Sequence, residues 1–149
     1  MNALLFLCTG NYYRSRFCEE YFNHLAQGHS LPWRADSRGL APDITVFRNP
    51  GPLSLYTRQH LAALGVNLGA TVRDPRSVQA EDWAKAQRII ALSRIEHQPM
   101  VEQYFSAYAT TVEYWEVGDQ PVTSPTEALA TMTRAVDALM DALMDALRR

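Results

Sequence analysis

The sequence predicts an α/β fold: a single doubly wound domain with a central four-stranded parallel sheet flanked by helices. Its 149 residues match the size of one domain. Short apolar runs alternate with amphipathic segments along the chain, which is typical of a parallel sheet with crossover helices. No composition shift or low-complexity linker divides the sequence, so residues 1–149 are expected to form one domain.

The first strand and the first helix carry clear patterns. Asn2–Leu7 is a continuous apolar run too short for a helix, as expected of a central strand buried on both faces. Between Ser15 and Gln27, apolar residues lie one, four, five and eight positions after Phe17, which places them on one helical stripe. A buried strand, a loop and an amphipathic helix therefore begin the protein.

The remaining elements follow from weaker patterns. Further strands are predicted at Trp33–Ser37, Arg88–Leu92 and Thr111–Trp115. Further helices are predicted at Leu53–Leu64, Ala80–Ala86 and Ile95–Phe105, the last disturbed near its start by Pro99. The final helix is the clearest, because Ser124 is a good N-cap, Pro125 suits the first helical position and Glu127 completes a capping box.

Composition and charge exclude several classes of protein. A net charge of −2 with scattered basic residues gives no reason to expect nucleic-acid or membrane binding. The early apolar run, residues 3–8, is too short to cross a bilayer and follows no basic residue, so neither an anchor nor a signal peptide is predicted. Two cysteines make no disulfide framework, and no Cys/His spacing offers a metal site. We expect a cytoplasmic monomer without cofactor or metal.

The loop after the first strand contains the candidate catalytic and anion-binding residues. A cysteine, Cys8, ends the strand, and an arginine and a serine, Arg14 and Ser15, begin the helix six and seven residues later. Unpaired amides at a helix N-terminus bind anions, and ligands of doubly wound sheets lie beyond the carboxyl ends of the strands. The arginine fork can bind two phosphoryl oxygens, and the same positive surroundings favour the nucleophilic thiolate of Cys8. The predicted phosphate-binding residues are Thr9, Gly10, Asn11, Tyr12, Tyr13 and Ser15.

This loop resembles the active-site loop of the low-molecular-weight protein tyrosine phosphatases. The N-terminal position of the loop, the chain length and the order of strands and helices fit that family along nearly the whole sequence. Segments 37–39 and 76–83 also resemble the family's turn after the second strand and its approach to the third. The resemblance implies that Cys8 is the nucleophile, Arg14 binds the transition state and Ser15 supports the thiolate. It also implies that Asn11, with Ser37 as its partner, shapes the loop.

The family takes its general acid from an Asp-Pro-aromatic segment after the last strand. The corresponding stretch, residues 115–121, contains Asp119, which we assign as the acid. Two alternatives stay open: Glu116 is the acid, or Asp119 is a solvated loop residue. The aromatic residue of the family segment is absent here, where Pro121 is followed by valine, so phosphotyrosine is not fixed as the substrate. Tyr12, Leu40 and Phe47 either form a replacement wall or are scattered apolar residues of the surface.

Other departures from the family concern redox chemistry and loop support. Tyr13 stands where many members have a second cysteine, so oxidation of Cys8 is expected to pass beyond sulfenic acid more readily than in members with the pair. Cys18 lies on the apolar helix stripe, either as a packing residue or as a resolving thiol. Arg73 replaces a frequent histidine, which implies a rearranged network around Asn11. The four histidines share no ligand spacing: His24 and His29 are expected to be solvated, and His60 and His97 have no identifiable partner.

The function favoured by the sequence is a cysteine-dependent phosphomonoester hydrolase with a phosphocysteine intermediate, acting on a phosphorylated protein or a small phosphomonoester. One alternative is an arsenate reductase of the same fold. Its thioredoxin-coupled form needs two further cysteines, and the chain offers only Cys18. The other alternative is a non-catalytic phosphate-binding regulatory module, which the irregular segment around Asp119 keeps open.

Overall fold

A computed structural model describes residues 1–149, and the centre of the fold is a four-stranded parallel sheet. The strands are β1 (Asn2–Cys8), β2 (Trp33–Gly39), β3 (Arg88–Ala91) and β4 (Val112–Tyr114). They are arranged in the order β2-β1-β3-β4, and every neighbouring pair is parallel. The predicted fold class is therefore confirmed.

Helices cover both faces of this sheet. They are α1 (Arg14–Gly28), α2 (Leu55–Ala63), α3 (Ala80–Lys85), α4 (Arg94–Tyr104) and α5 (Pro125–Leu147). Two short 3₁₀ segments, Ile44–Phe47 and Ser106–Tyr108, complete the secondary structure. Pro99 lies inside α4 beyond its first turn, where it removes one amide donor without ending the helix. None of the helices combines the length and the apolar composition needed to cross a membrane.

Side chains of β1 alternate between two apolar cores, as its continuous apolar run predicts. Leu4 and Phe6 lie in the core that includes residues of α1 and α5. Leu5 and Leu7 lie in the second core, on the other face, with residues of α3 and α4. Burial on both faces explains why this strand carries no polar alternation.

The last helix forms as its end signals predict. The Ser124 side chain accepts a hydrogen bond from the backbone N–H of Glu127, and Pro125 occupies the first turn. The buried residues of α5 are Ala128, Leu129, Met132, Val136, Leu139, Met140 and Leu143. This stripe packs against α1 and places α1 firmly on the sheet.

The topology leaves a crevice at the carboxyl edge of the sheet. The chain leaves β1 for β2 on one side, whereas β3 pairs with β1 on the other side. The loop between β1 and α1 and the start of α4 therefore lie at the same edge, beside the switch point where doubly wound sheets bind ligands.

Candidate active site

The loop between β1 and α1 is shaped by Asn11. Its φ of +54° is left-handed, and its side-chain amide donates to the hydroxyl oxygens of Ser15 and Ser37, both at 2.9 Å. The Ser15 hydroxyl in turn lies 3.0 Å from Cys8 Sγ. Because Ser15 Oγ already accepts from Asn11, its proton is free to point to the sulfur. The structure thus brings together Cys8, Ser15, Asn11 and Ser37.

Arg73 completes the support of Asn11 from the far side. The Asn11 side-chain oxygen accepts hydrogen bonds from Arg73 Nη1 and from the backbone N–H of Arg76, each at 3.0 Å. Arg73 Nη2 also donates to Glu19 Oε1 at 2.9 Å and to the Ser37 carbonyl oxygen at 3.0 Å. An arginine therefore supports the loop where the family often has a histidine, which is the rearrangement that the sequence implied.

A second arginine, Arg16, connects the loop to its surroundings, and no sequence pattern had indicated this role. It is 1% exposed, and its guanidinium donates to the carbonyl oxygens of Pro52 at 3.0 Å and Arg73 at 2.8 Å. The segments before α2 and before α3 are therefore held against the start of α1.

Close backbone contact between β2 and the loop depends on Gly39. A Cβ at this position would lie 2.9 Å from the Thr9 carbonyl oxygen, closer than real side chains come. The next residue, Leu40, donates its backbone N–H to the Cys8 carbonyl oxygen at 2.8 Å. The glycine of the segment 37–39 therefore lets the end of β2 support the nucleophile loop directly.

Arg14 is buried and held by an acidic residue that the sequence did not reveal. Its guanidinium, 2% exposed, forms two hydrogen bonds with the carboxylate of Glu96, at 2.7 and 3.0 Å, and one with the Val117 carbonyl oxygen, at 2.9 Å. Burial lowers the pKa of Arg14, but the hydrogen bond to Glu96 and the charges of Cys8 and Asp119 together raise it by more. The pKa of Arg14 therefore lies above its ordinary value. Glu96 therefore fixes the plane of the fork.

Asp119 lies on the loop after β4 and contacts Arg14. One carboxylate oxygen is 3.4 Å from Arg14 Nη2, and the other accepts from the backbone N–H of Gln120 at 2.8 Å. The side chain is 46% exposed and lines the same cavity as Cys8. A carboxyl in this cavity can give a proton to a departing oxygen.

Glu116, the alternative acid, faces a different group. Its carboxylate accepts hydrogen bonds from the Ser93 hydroxyl at 2.6 Å and from the backbone N–H of Ile95 at 3.1 Å. Both partners belong to the start of α4, and Glu116 does not line the cavity that contains Cys8. The geometry favours Asp119.

The cavity around the loop has a volume of about 160 Å³ and an aromatic wall. It is lined by Cys8, Thr9, Gly10, Tyr12, Tyr13, Arg14, Phe47, Asn49, Ser54, Asp119 and Gln120. Tyr12 and Phe47 thus lie where the sequence expected a replacement wall. The same expectation for Leu40 is wrong, because this side chain is 0% exposed and packs in the second core with Leu5 and Leu7.

Two residues near the nucleophile bear on its redox chemistry. Tyr13 is 7% exposed and lines the cavity, and burial together with the charge of Asp119 raises its pKa to about 12, so its hydroxyl stays protonated. Cys18 is 0% exposed in the core, and burial raises the pKa of its thiol well above the ordinary value. Both cysteines are free thiols. The packing position expected for Cys18 is the one found.

Comparisons with known proteins agree with this geometry. The family model described as low molecular weight phosphotyrosine protein phosphatase matches residues 3–149. The chain belongs to that family. As a member, it is a cysteine-dependent phosphatase.

Solved structures of low molecular weight phosphatases share the fold along the whole chain. The low molecular weight protein tyrosine phosphatase from T. tengcongensis is 24% identical, with a TM-score of 0.74 over 98% of this chain and 99% of that one. The enzyme from Streptococcus pyogenes is 15% identical, with a TM-score of 0.79 over 100% and 99%. The YwlE arginine phosphatase from Geobacillus stearothermophilus is 17% identical, with a TM-score of 0.71 over 99% and 94%. No curated protein matches the chain.

Proposed function

We propose that Cys8, Arg14 and Asp119 hydrolyse a phosphomonoester through two in-line displacements. The observation that supports this most directly is their convergence: the Cys8 thiol, the Arg14 fork and the Asp119 carboxyl surround one cavity at the N-terminus of α1. A nucleophile, an anion-binding guanidinium and a proton donor are the three groups that this chemistry needs.

In the first displacement, the Cys8 thiolate attacks phosphorus and the bond from phosphorus to the ester oxygen breaks. Asp119 gives its proton to the departing oxygen, which leaves as an alcohol or a phenol. Arg14 and the backbone amides of residues 9–14 bind the equatorial oxygens while charge develops on them. The Ser15 hydroxyl, 3.0 Å from Cys8 Sγ, supports the thiolate before the attack.

In the second displacement, water attacks the phosphocysteine. The Asp119 carboxylate accepts a proton from that water, the bond from phosphorus to sulfur breaks and Cys8 leaves as a thiolate. Inorganic phosphate departs, and Asp119 is again protonated for the next cycle. No step needs a metal ion or a cofactor.

The wall formed by Tyr12 and Phe47 supports an aryl phosphate, such as phosphotyrosine in a protein, as the preferred substrate. The proposal places the enzyme in the cytoplasm, as a monomer that binds neither nucleic acid nor membrane. Its scattered basic residues, its net charge of −2 and its two free cysteines support this placement.

The two alternatives from the sequence have less support. An arsenate reductase relay would need accessible thiols, but Cys18 is 0% exposed in the core. A non-catalytic module would not need a carboxyl beside the cysteine, yet Asp119 lies 3.4 Å from Arg14 at the mouth of the cavity.

The test is hydrolysis of para-nitrophenyl phosphate by the wild-type enzyme and two variants. Cys8→Ser should abolish turnover, and Asp119→Asn should lower kcat by roughly 10²–10⁴-fold while vanadate still binds. Glu116→Gln is the matched control for the acid and should retain most of the activity. Vanadate binding without any turnover that depends on Cys8 would favour the regulatory module and overturn the proposal.

A further inference from the structure

The first residue after the cysteine, Thr9, is in contact with a buried histidine of α4. Thr9 is half-buried and lines the cavity beside Cys8. Its hydroxyl oxygen lies 3.0 Å from Nε2 of His97, a side chain that is 0% exposed. The mechanism above uses neither the Thr9 hydroxyl nor the imidazole.

The backbone determines which ring nitrogen carries the proton. The N–H of Ser93 donates to His97 Nδ1 at 3.0 Å, so Nδ1 is an acceptor and carries no hydrogen. A neutral imidazole with a bare Nδ1 has its proton on Nε2, which therefore donates to Thr9 Oγ1. Burial and the nearby charge of Arg14 lower the pKa of His97 to about 3, in agreement with a neutral ring.

This tautomer decides where the Thr9 hydroxyl can point. Thr9 cannot give its proton to His97, because Nε2 already carries one. The only side-chain hydrogen bond of Thr9 in the protein is the one to this histidine. Its proton is therefore left for a group in the cavity, next to the nucleophile.

We propose that His97 orients the Thr9 hydroxyl as a hydrogen-bond donor to an equatorial oxygen of the phosphoryl group bound in the loop. The inference rests on the proposed function, because it assigns a further contact at the same site. Thr9 then binds the anion through its side chain as well as through its backbone. His97 touches no substrate atom and is a positioning residue.

The first test compares vanadate and inorganic phosphate as competitive inhibitors of Thr9 variants. Thr9→Val keeps the shape of the side chain and removes the donor, so both anions should bind about 10-fold more weakly, as for the loss of a hydrogen bond to a charged group. Thr9→Ser, which keeps a hydroxyl, should bind them more tightly than Thr9→Val. Equal affinity of wild-type enzyme and Thr9→Val would overturn the proposal.

The second test asks whether His97 acts through Thr9. His97→Leu should weaken vanadate binding in the wild-type background but cause no further loss in the Thr9→Val background. His97→Gln can donate from its side-chain nitrogen to Thr9 and should recover part of the affinity. Additive losses, or no recovery with glutamine, would show that His97 has only a packing role.

A second histidine–threonine pair provides the matched control. His60 Nε2 lies 3.1 Å from Thr133 Oγ1, outside the cavity, so His60→Leu should leave vanadate affinity unchanged. Thermal unfolding of each variant confirms that it is folded, and the Thr9 series decides the proposal even if His97→Leu does not fold. Anion affinity can be measured by calorimetry without turnover, so failure of the proposed function would be seen separately.

Discussion

At the scale of single residues, the contact between Arg14 and Glu96 fixes the orientation of the guanidinium that we propose to bind the substrate. A guanidinium that is 2% exposed needs a partner, since an unpaired buried charge is strongly destabilising. The Glu96 carboxylate meets both terminal nitrogens of the fork and so fixes its rotation. The remaining donor positions are then available to the phosphoryl group.

Replacing this carboxylate should impair catalysis as well as stability. Glu96→Gln is expected to lower kcat/KM by roughly 10²-fold, because a displaced fork no longer matches the transition state. Steady-state hydrolysis of para-nitrophenyl phosphate measures the effect. Glu113→Gln is the matched control, since Glu113 forms a similar two-bonded pair with Arg88 on the surface. Equal activity of the two variants would contradict a positioning role for Glu96.

The surroundings of Cys8 predict its response to peroxide. With Tyr13 at the position of the family's second thiol and Cys18 buried in the core, sulfenic acid at Cys8 has no accessible partner. Mass spectrometry after peroxide treatment should therefore find sulfinic and sulfonic acid at Cys8. Peroxide should inactivate the Cys18→Ser variant at the same rate as the wild-type enzyme. Inactivation of the Tyr13→Cys variant should be more reversible than that of the wild-type enzyme. A disulfide between Cys8 and Cys18 would contradict the prediction.

At the scale of elements, the sequence predicted those parts whose signal is local. The stripes of α1 and α5 and the apolar run of β1 are periodic patterns, and they were located to within a residue or two. The contacts of Glu96 and His97 could not be predicted, because they exist only when the first turn of α4 lies beside the nucleophile loop. Leu40 was misassigned for the same reason: whether it faces the cavity or a core depends on packing beyond the end of β2.

The N-cap of α4 links stability to activity. The Ser93 hydroxyl accepts from the backbone N–H of Glu96 at 3.2 Å, and this turn also contains His97. Ser93→Ala should lower the free energy of unfolding by about 1 kcal/mol and also reduce kcat/KM. Urea denaturation and steady-state kinetics measure the two effects.

The N-cap of α5 offers the matched comparison. Ser124 makes the same contact, to the N–H of Glu127 at 3.2 Å, but lies outside the cavity. Ser124→Ala should destabilise the protein by no more than Ser93→Ala, which also loses the hydrogen bond to Glu116, and should change kcat/KM little. If both variants lose activity equally, the first turn of α4 has no special connection to the site.

At the scale of the whole molecule, the buried His97 predicts lower stability in acid. Its pKa falls from 6.5 to about 3 in the folded protein because of burial and the charge of Arg14, so between these values the unfolded chain binds the extra proton. The contribution of neutral His97 to the free energy of unfolding is complete above pH 6.5. It is lost as the pH falls toward 3, by up to about 1.4 kcal/mol per pH unit.

Urea denaturation between pH 7 and pH 4 measures this contribution. The difference in unfolding free energy between wild-type protein and His97→Gln should shrink steadily as the pH falls, since glutamine does not titrate. His24→Gln, at an exposed position, is the control and should show no such trend. A difference that stays constant with pH would contradict a neutral buried ring.

The nucleophile loop is supported from both sides of β1: Asn11 from the side of β2, and Thr9 and Arg14 from α4. A loop with so many fixed contacts loses little conformational entropy when an oxyanion arrives. Its backbone should therefore have nearly the same conformation with and without tungstate, whereas its unpaired amides should exchange with deuterium more slowly once tungstate is bound. Tight inhibition by small tetrahedral anions would then reflect a preorganised binding site, which already has its bound conformation in the free enzyme.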